Sequence, residues 1–306
     1  MDDAAFAALV APHRAALHAH CYRMLGSTAD ADDALQDALL GAWKGRATFA
    51  GRSTLRAWLF KIATNASLAL IARRKSARVL AEDYGPAAGH VATFGDVVAD
   101  PVWIEPYPTP TTALERKETL ELAFIAALQQ LPAIQRAVLL LRDVLAYSAD
   151  ETAAALDTST AAVTSALQRA RARVASRVPA RSQAQTLREL GEAGQRELVT
   201  AYVTAFERGD VEGFLALLTD DATFAMPPLP QWFAGPAGIR HFLTDHLFQR
   251  PWKLRPTLAN GQLAFACYHD GPLAALNVIT VRGTQIAGIV GFLDPAIHAR
   301  FSLAAD

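Results

Sequence analysis

The sequence predicts a multidomain chain: two all-α helical domains, the second a helix-turn-helix, followed by an α+β domain with a curved antiparallel sheet. Three observations carry this. Apolar residues recur at helical spacing through most of the first 180 positions, interrupted once by a proline-rich stretch. A capped short helix, a turn and a longer helix follow one another from Ser148 onward. After 195 the pattern shifts to strand-length runs separated by Asn260-Gly261, Asp270-Gly271 and Arg282-Gly283, which are hairpin signals.

Residues 1–80 form the first predicted domain. Leu17, Cys21, Met24 and Leu25 make an apolar stripe that Gly26-Ser27-Thr28 breaks. Leu35, Ala38, Leu39, Ala42 and Trp43 mark the next helix, with its aspartates turned outward. Ser53 is a candidate N-cap for a long helix that carries Leu55, Trp58, Leu59, Ile62 and Ala63 inward and ends in Arg73-Arg74-Lys75. Residues 81–112 are acidic and rich in proline and read as a linker. Its Trp103 and Tyr107 are unusual there, and rings of that size are expected to dock on a surface.

Residues 113–180 form the second domain, with helices over 113–131 and 133–143 and Pro132 as a first-turn proline. Ser148 and Glu151 have the spacing of a capping box. Asp157-Thr158-Ser159 makes the turn, and the following helix buries Val163, Ala166, Leu167, Ala170 and Val174. Its outer face shows Thr160, Thr164, Ser165, Gln168, Arg169, Arg171 and Arg173. Residues 181–194 are polar and read as a second linker before the α+β domain of 195–306.

The formal net charge of −1 hides a strong segregation. Four aspartates occur between Asp30 and Asp37, and nine Lys or Arg residues without an acid between Ala38 and Ala81. Six arginines, again without an acid, lie between Thr158 and Arg188. Two basic blocks in a neutral chain are the footprint of local phosphate contacts. The two cysteines, Cys21 and Cys267, are far apart and imply no disulfide framework. Met1 leads into Asp2-Asp3 with no apolar leader, and no run of about 18 apolar residues occurs, so a cytoplasmic protein without a membrane partner is expected. His13, His18, His20 and Cys21 crowd one segment but do not share a helical face, so no metal and no cofactor is expected.

The first 180 residues resemble the extracytoplasmic-function (ECF) sigma factors. The resemblance rests on His20-Cys-Tyr-Arg-Met-Leu-Gly26, on Asp30-Ala-Asp-Asp-Ala-Leu-Gln-Asp37 running to Trp43, and on Phe49-Ala-Gly-Arg-Ser-Thr-Leu-Arg-Ala-Trp-Leu-Phe60. Leu131-Pro-Ala-Ile-Gln-Arg-Ala-Val138 and Leu167-Gln-Arg-Ala-Arg171 complete it. The last 110 or so residues resemble the SnoaL-like, NTF2-like cone. Trp103-Ile-Glu-Pro-Tyr-Pro108 is similar to a linker motif of such extended members, which makes Trp103, Glu105, Pro106 and Tyr107 candidate regulatory residues.

The resemblance implies core RNA polymerase and promoter DNA as partners. Asp32, Asp33, Gln36, Asp37, Leu40 and Trp43 are then the polymerase-binding set, and Lys61, Asn65, Arg73 and Arg74 the minus-ten set. Trp58 and Phe60 are open between base stacking and core packing, with periodicity favouring core for Trp58. The minus-thirty-five set is the outer face from Thr160 to Arg173, its short polar residues suited to base edges and its arginines to phosphates. In the cone, Asp221, Met226, Trp232, Phe233 and His241 are candidate cavity residues for a small-molecule ligand. A sigma factor whose third domain modulates activity without catalysis is the expected function. A helix-turn-helix repressor with a sensor domain leaves residues 1–80 without a role, and a SnoaL-like isomerase or cyclase leaves the basic blocks unexplained.

Overall fold

The structure is a computed structural model that describes residues 2–47, 49, 54–74, 76–98, 103–109, 120–301 and 303. The first helices are α1 (Asp3–Val10), α2 (Arg14–Leu25), α3 (Thr28–Gly45), α4 (Leu55–Arg73) and the short α5 (Ala81–Tyr84). Then come α6 (Leu122–Gln129), α7 (Ala133–Leu139) with a π turn after it, α8 (Ala149–Ala155), α9 (Thr160–Ala175), α10 (Gln183–Arg208) and α11 (Val211–Ala216). Strands β1 (Leu218–Ala225) and β2 (Trp232–Ala234) lead to α12 (Gly235–Asp245). Strands β3 (Lys253–Ala259), β4 (Gln262–Tyr268), β5 (Leu273–Arg282) and β6 (Gln285–Phe292) end at α13 (Pro295–His298).

These elements sort into two compact units, Met1–Arg78 with Pro110–Pro179, and Val79–Thr109 with Ala180–Asp306. In the first, α2, α3 and α4 pack through Leu17, Cys21, Met24, Ala31, Ala34, Ala38, Leu59, Phe60 and Ala63, all buried. Small residues on α3 let the helices approach closely. The α4 cap is Thr54, whose side chain accepts from the Ala57 amide; Ser53, expected in that role, lies outside the described residues, as do 113–119 of the helix expected there. Pro132 occupies the N-cap of α7 rather than its first turn. Helix α4 alone among the described residues is long and apolar enough to cross a membrane. It packs on α2 and α3 here and carries Arg56 and Lys61 on its partly exposed side.

The C-terminus of α2 joins the two helical regions of this unit. A helix ends with carbonyls that have no partner of their own. Gly26 closes α2 in the left-handed region (φ 70°), where glycine has no steric penalty. A Cβ there would stand 3.0 Å from the Gln129 side chain. Gln129 Nε2 donates to Arg23 O (3.2 Å), Arg74 Nη1 to Leu25 O (3.0 Å), and Arg136 Nη1 to Met24 O. The same guanidinium donates to Gln129 O and Leu131 O and to the Gln129 side chain. Arg136 is buried, and burial pulls its pKa down to about 10, so it stays charged.

Buried His20 is held the other way. Thr64 Oγ1 donates to Phe60 O (2.7 Å) and faces His20 Nε2 at 2.9 Å, which places the imidazole proton on Nε2. Burial, with Arg23 beside it, lowers the His20 pKa to about 3, so the ring is neutral.

The second unit is built on one six-stranded sheet of order β2-β1-β6-β5-β4-β3. Its pairs are antiparallel except β1 with β6, which run parallel and are separated in the chain by β2, α12 and the β3–β5 meander rather than by a hairpin. Asn260 and Gly261, both at positive φ, form the two-residue turn between β3 and β4. Residues 181–194, expected as a linker, are mostly helix: α10 begins at Gln183 and is kinked at Gly191 (φ 69°). Its buried end and α11, β1, α12 and β4 enclose Tyr202, Phe206, Phe214, Phe224, Phe233, Phe242 and Phe265. Tyr202 stacks on Phe265 with ring centroids 4.3 Å apart, and its hydroxyl accepts from Asn277 Nδ2 (3.1 Å).

Replacing Arg136 by Met should cost on the order of 3 kcal/mol in urea titration, because several buried carbonyls lose a charged donor together. Lysine at 136, lacking the fork, should recover less than half of that. For His20 the folded pKa lies below the unfolded one, so its stabilisation is complete above pH 6.5 and is lost as pH falls toward about 3. Across that window the wild type should lose stability relative to His20→Gln, by at most about 1.4 kcal/mol per pH unit. Parallel denaturation curves at several pH values check this.

Candidate nucleic-acid and polymerase interfaces

The helix-turn-helix is α8, the turn at 156–159, and α9. The capping box closes as spaced: Ser148 N donates to Glu151 Oε2 (2.7 Å), and Glu151 N to Ser148 Oγ (3.0 Å). Hydrogen bonds to the carboxylate from the Ser148 amide, and then from its hydroxyl, lower the Glu151 pKa. Asp157 takes a positive φ (49°) in the turn, and Ser159 caps α9 by accepting from Ala162 N. Val163, Ala166, Leu167 and Ala170 are buried, while Val174 is half-buried.

All seven candidate minus-thirty-five residues, Thr160, Thr164, Ser165, Gln168, Arg169, Arg171 and Arg173, are exposed on α9. The Thr164 hydroxyl donates to Thr160 O (2.9 Å), so its free capacity is as an acceptor, suited to an amino group on a base edge. Arg171 differs from its neighbours. Its Nε and Nη2 donate to the two carboxylate oxygens of Asp143 at 2.9 and 2.7 Å, which raises its pKa further. A phosphate would have to displace that carboxylate.

On α4, Asn65 and Arg73 are exposed, and Arg73 sits 3.9 Å from Asp37. Lys61 is engaged elsewhere in the same unit: its Nζ donates to Ala154 O (2.8 Å) and Asp157 Oδ1 (3.2 Å), at the C-terminal, negative end of α8. Arg74, expected to hold a phosphate, is half-buried and pairs with Asp30 as well as Leu25 O, so it holds the fold together. Phe60 is core, edge-on to His20 at 5.3 Å, and is not available to a base. Trp58 is half-buried against Phe49.

On α3, Asp32, Asp33, Gln36, Asp37 and Leu40 form one exposed face. Arg14, Asp32, Leu35, Gln36, Leu39 and Leu40 line an open groove of about 460 Å³ there. Leu40 is 49% exposed, a large apolar side chain left uncovered beside acids. Trp43 lies at the end of this face between Phe6 and the Arg46 guanidinium, which sits 3.3 Å from its ring centre.

The stretch expected as a linker, 81–112, overlaps segment 79–109, which belongs to the second unit and folds against it as a strap along much of its described length. Ala88 N donates to Trp232 O (2.7 Å), and Trp232 Nε1 donates to Gly85 O (2.8 Å). Phe94 packs edge-on to Phe233 and Phe242. Trp103 and Tyr107 are buried, as is Pro106, and Glu105 is half-buried. Tyr107 pairs with Asn260 twice: its amide donates to Asn260 Oδ1 and its carbonyl accepts from Asn260 N, both at 2.8 Å. Asn260 therefore serves as turn residue and as clamp, a role its Asn-Gly spacing did not disclose.

The candidate cavity set does not converge. Met226 and Phe233 are buried in the aromatic core, and Trp232 is half-buried under the strap. Asp221 faces solvent, bonded by Thr219 and Arg282, which hold its carboxyl down to about 2. His241 is exposed on α12. An ionised surface carboxylate is not placed as a base inside the cone.

Comparison with known families agrees with this architecture. Residues 9–77 match Sigma-70 region 2, 121–174 match Sigma-70 region 4, and 199–290 match the SnoaL-like domain. The chain belongs to the ECF sigma factors, promoter-directing subunits of RNA polymerase, and carries a C-terminal SnoaL-like domain. Among its relatives is the ECF RNA polymerase sigma factor SigG of Mycobacterium tuberculosis, 37% identical over 97% of this chain and 84% of the relative. SigM of the same organism is 32% identical over 57% of this chain and 77% of its own. The crystal structure of the M. tuberculosis ECF sigma factor SigJ shares the fold, with a TM-score of 0.61 at 22% identity over 95% of this chain and 97% of that one.

Two substitutions on α9 should separate base reading from phosphate gripping. Gln168→Ala should relax preference at one position of the minus-thirty-five element, by about 1–3 kcal/mol between bases. Arg173→Ala should weaken all promoters alike and reduce the salt slope by about one. Binding titrations on a panel of single-base promoter variants at several salt concentrations distinguish them.

Proposed function

We propose that the α3 face from Asp32 to Trp43 docks on core RNA polymerase, that α9 reads the minus-thirty-five element, and that Asn65 and Arg73 on α4 contact the minus-ten element. Functionally the chain divides at 1–80, 81–112, 113–180, 181–194 and 195–306, with the first and third pieces reading DNA. The acidic, partly apolar α3 face suits a basic helical partner, and Leu40 supplies uncovered apolar area at its centre. A promoter-directing subunit acts where the chromosome is, in the cytoplasm.

Size argues that the first unit opens in use. A compact body of about 150 residues has a radius of gyration near 15 Å and is roughly 40 Å across. Elements named for positions ten and thirty-five lie about 25 base pairs apart, or about 85 Å at 3.4 Å per pair. One closed unit does not span that distance, so the contacts of Arg136 and Lys61 between its two helical regions must be released.

The segment that connects those regions in sequence is 79–109, and its attachment to the SnoaL-like domain carries the regulatory reading. The docked strap limits how far the regions can part, and undocking lengthens the tether. Regulation then runs through the strap rather than through chemistry in the cone: the aromatic rings pack on one another and Asp221 is tied to Arg282. Neither an isomerase or cyclase activity nor a small-molecule ligand is part of this reading.

The test is run-off transcription with reconstituted holoenzyme. Trp232→Phe removes the bond to Gly85 O, and Asn260→Gly removes one Tyr107 bond while keeping the turn. The double variant should change transcript yield at least severalfold with promoter sequence preference unchanged. Equal yields from the variant and the wild type would exclude control by the strap.

A further inference from the structure

We propose that His90, His241 and Asp245 form a binding site for a divalent transition metal, zinc-like in its ligand preference, that fastens the strap to α12. His241 and Asp245 stand one helical turn apart on α12, which places them on one face. His90 reaches them from segment 79–109. Its Nδ1 lies 3.5 Å from Asp245 Oδ2, and its ring centroid is 5.5 Å from that of His241. One ligand atom from each of the three falls within 4.8 Å of the others.

The dimensions suit a tetrahedral centre. Metal–nitrogen bonds of about 2.0–2.1 Å and metal–carboxylate bonds of about 2.0–2.2 Å put neighbouring ligand atoms about 3.4 Å apart. The edge between His90 and Asp245 already has that length. The other edges close by rotation of exposed side chains, which repacks no core. Two imidazoles and one carboxylate are a donor set for zinc-like ions, whereas magnesium and calcium prefer oxygen ligands throughout. Three protein ligands at the surface leave a fourth position for water.

The backbone around His90 is already held. On one side Ala88 N donates to Trp232 O; on the other, Val91 O is 2.6 Å from His246 Nε2, and Phe94 packs against Phe233 and Phe242. His246 is the positioning residue here, because its Nε2 is committed to the strap backbone. Little chain entropy remains to be lost when a metal arrives. Metal binding and strap docking are therefore linked. At a hundred times its Kd the metal would reduce strap opening about a hundredfold, provided it binds only the docked form. An effect on transcription rests on the reading under Proposed function; the binding itself does not.

Calorimetric titration of the full-length chain with Zn²⁺ at neutral pH, paired with amide hydrogen exchange of residues 86–95, tests the site. The wild type should bind one tight equivalent, and its exchange in 86–95 should slow by tenfold or more. Mg²⁺ should do neither. His90→Ala and His241→Ala should each weaken Zn²⁺ at least tenfold and abolish the slowing. Asp245→Asn, which keeps size and polarity, should do so too and guards against an effect of misfolding. Unchanged Zn²⁺ affinity in His90→Ala would overturn the proposal, as would wild-type Zn²⁺ binding without slower exchange, or no tight binding at all.

Discussion

The end of α2 is the point on which the first unit depends. Carbonyls at a helix terminus must find donors, and here Arg74, Gln129 and Arg136 come from three separate places in the chain to supply them. One guanidinium with five N–H groups satisfies α2, the end of α6 and the start of α7 together. The two helical regions are thereby joined in part through polar contacts with fixed geometry. Bonds that share one guanidinium strengthen one another, so any opening of this joint would release them together.

The second unit is built on a different principle. Its core is a cluster of stacked and edge-on rings whose burial needs no partner outside the unit. Such a core is rigid and offers its rim as a docking surface. The strap uses that rim through backbone hydrogen bonds and several rings: Phe94 packs on Phe233 and Phe242, and Trp103 and Tyr107 are buried. Its stretch from Gly85 to Phe94, held by a few hydrogen bonds and partly buried apolar side chains, opens more cheaply than the core beneath it.

Much of this was legible in the residues. The capping box at Ser148 and Glu151, the inner stripe of α9 and the Asn260-Gly261 turn are local patterns, and local patterns are readable in a single sequence. What escaped notice depends on distance in sequence. Nothing near Arg74 discloses that Leu25 O and Asp30 await it, so it read as one more basic residue in a basic block. Arg136 stands within a motif of the second domain, yet its partner Met24 O lies more than a hundred residues away. The polar stretch at 181–194 looked like a linker because Gly191 and several charges obscured a helix that the kink tolerates. Asp221 and His241 are cavity candidates by analogy of fold, and the Asp221–Arg282 ion pair and the exposure of His241 show how little such analogy says of individual side chains.

The engagement of Lys61 by Ala154 O and Asp157, and of Arg171 by Asp143, bears on how binding to DNA responds to salt. Counterion release drives association only for cations that were unpaired beforehand. A phosphate that took either cation would replace a carboxylate, adding specificity of arrangement with little entropy gain. Added salt that weakens the phosphate contact also weakens the internal pair it replaced. Part of the ionic compensation would then lie within the protein itself, and promoter binding at these two positions would be buffered against ionic strength more than the count of basic residues implies.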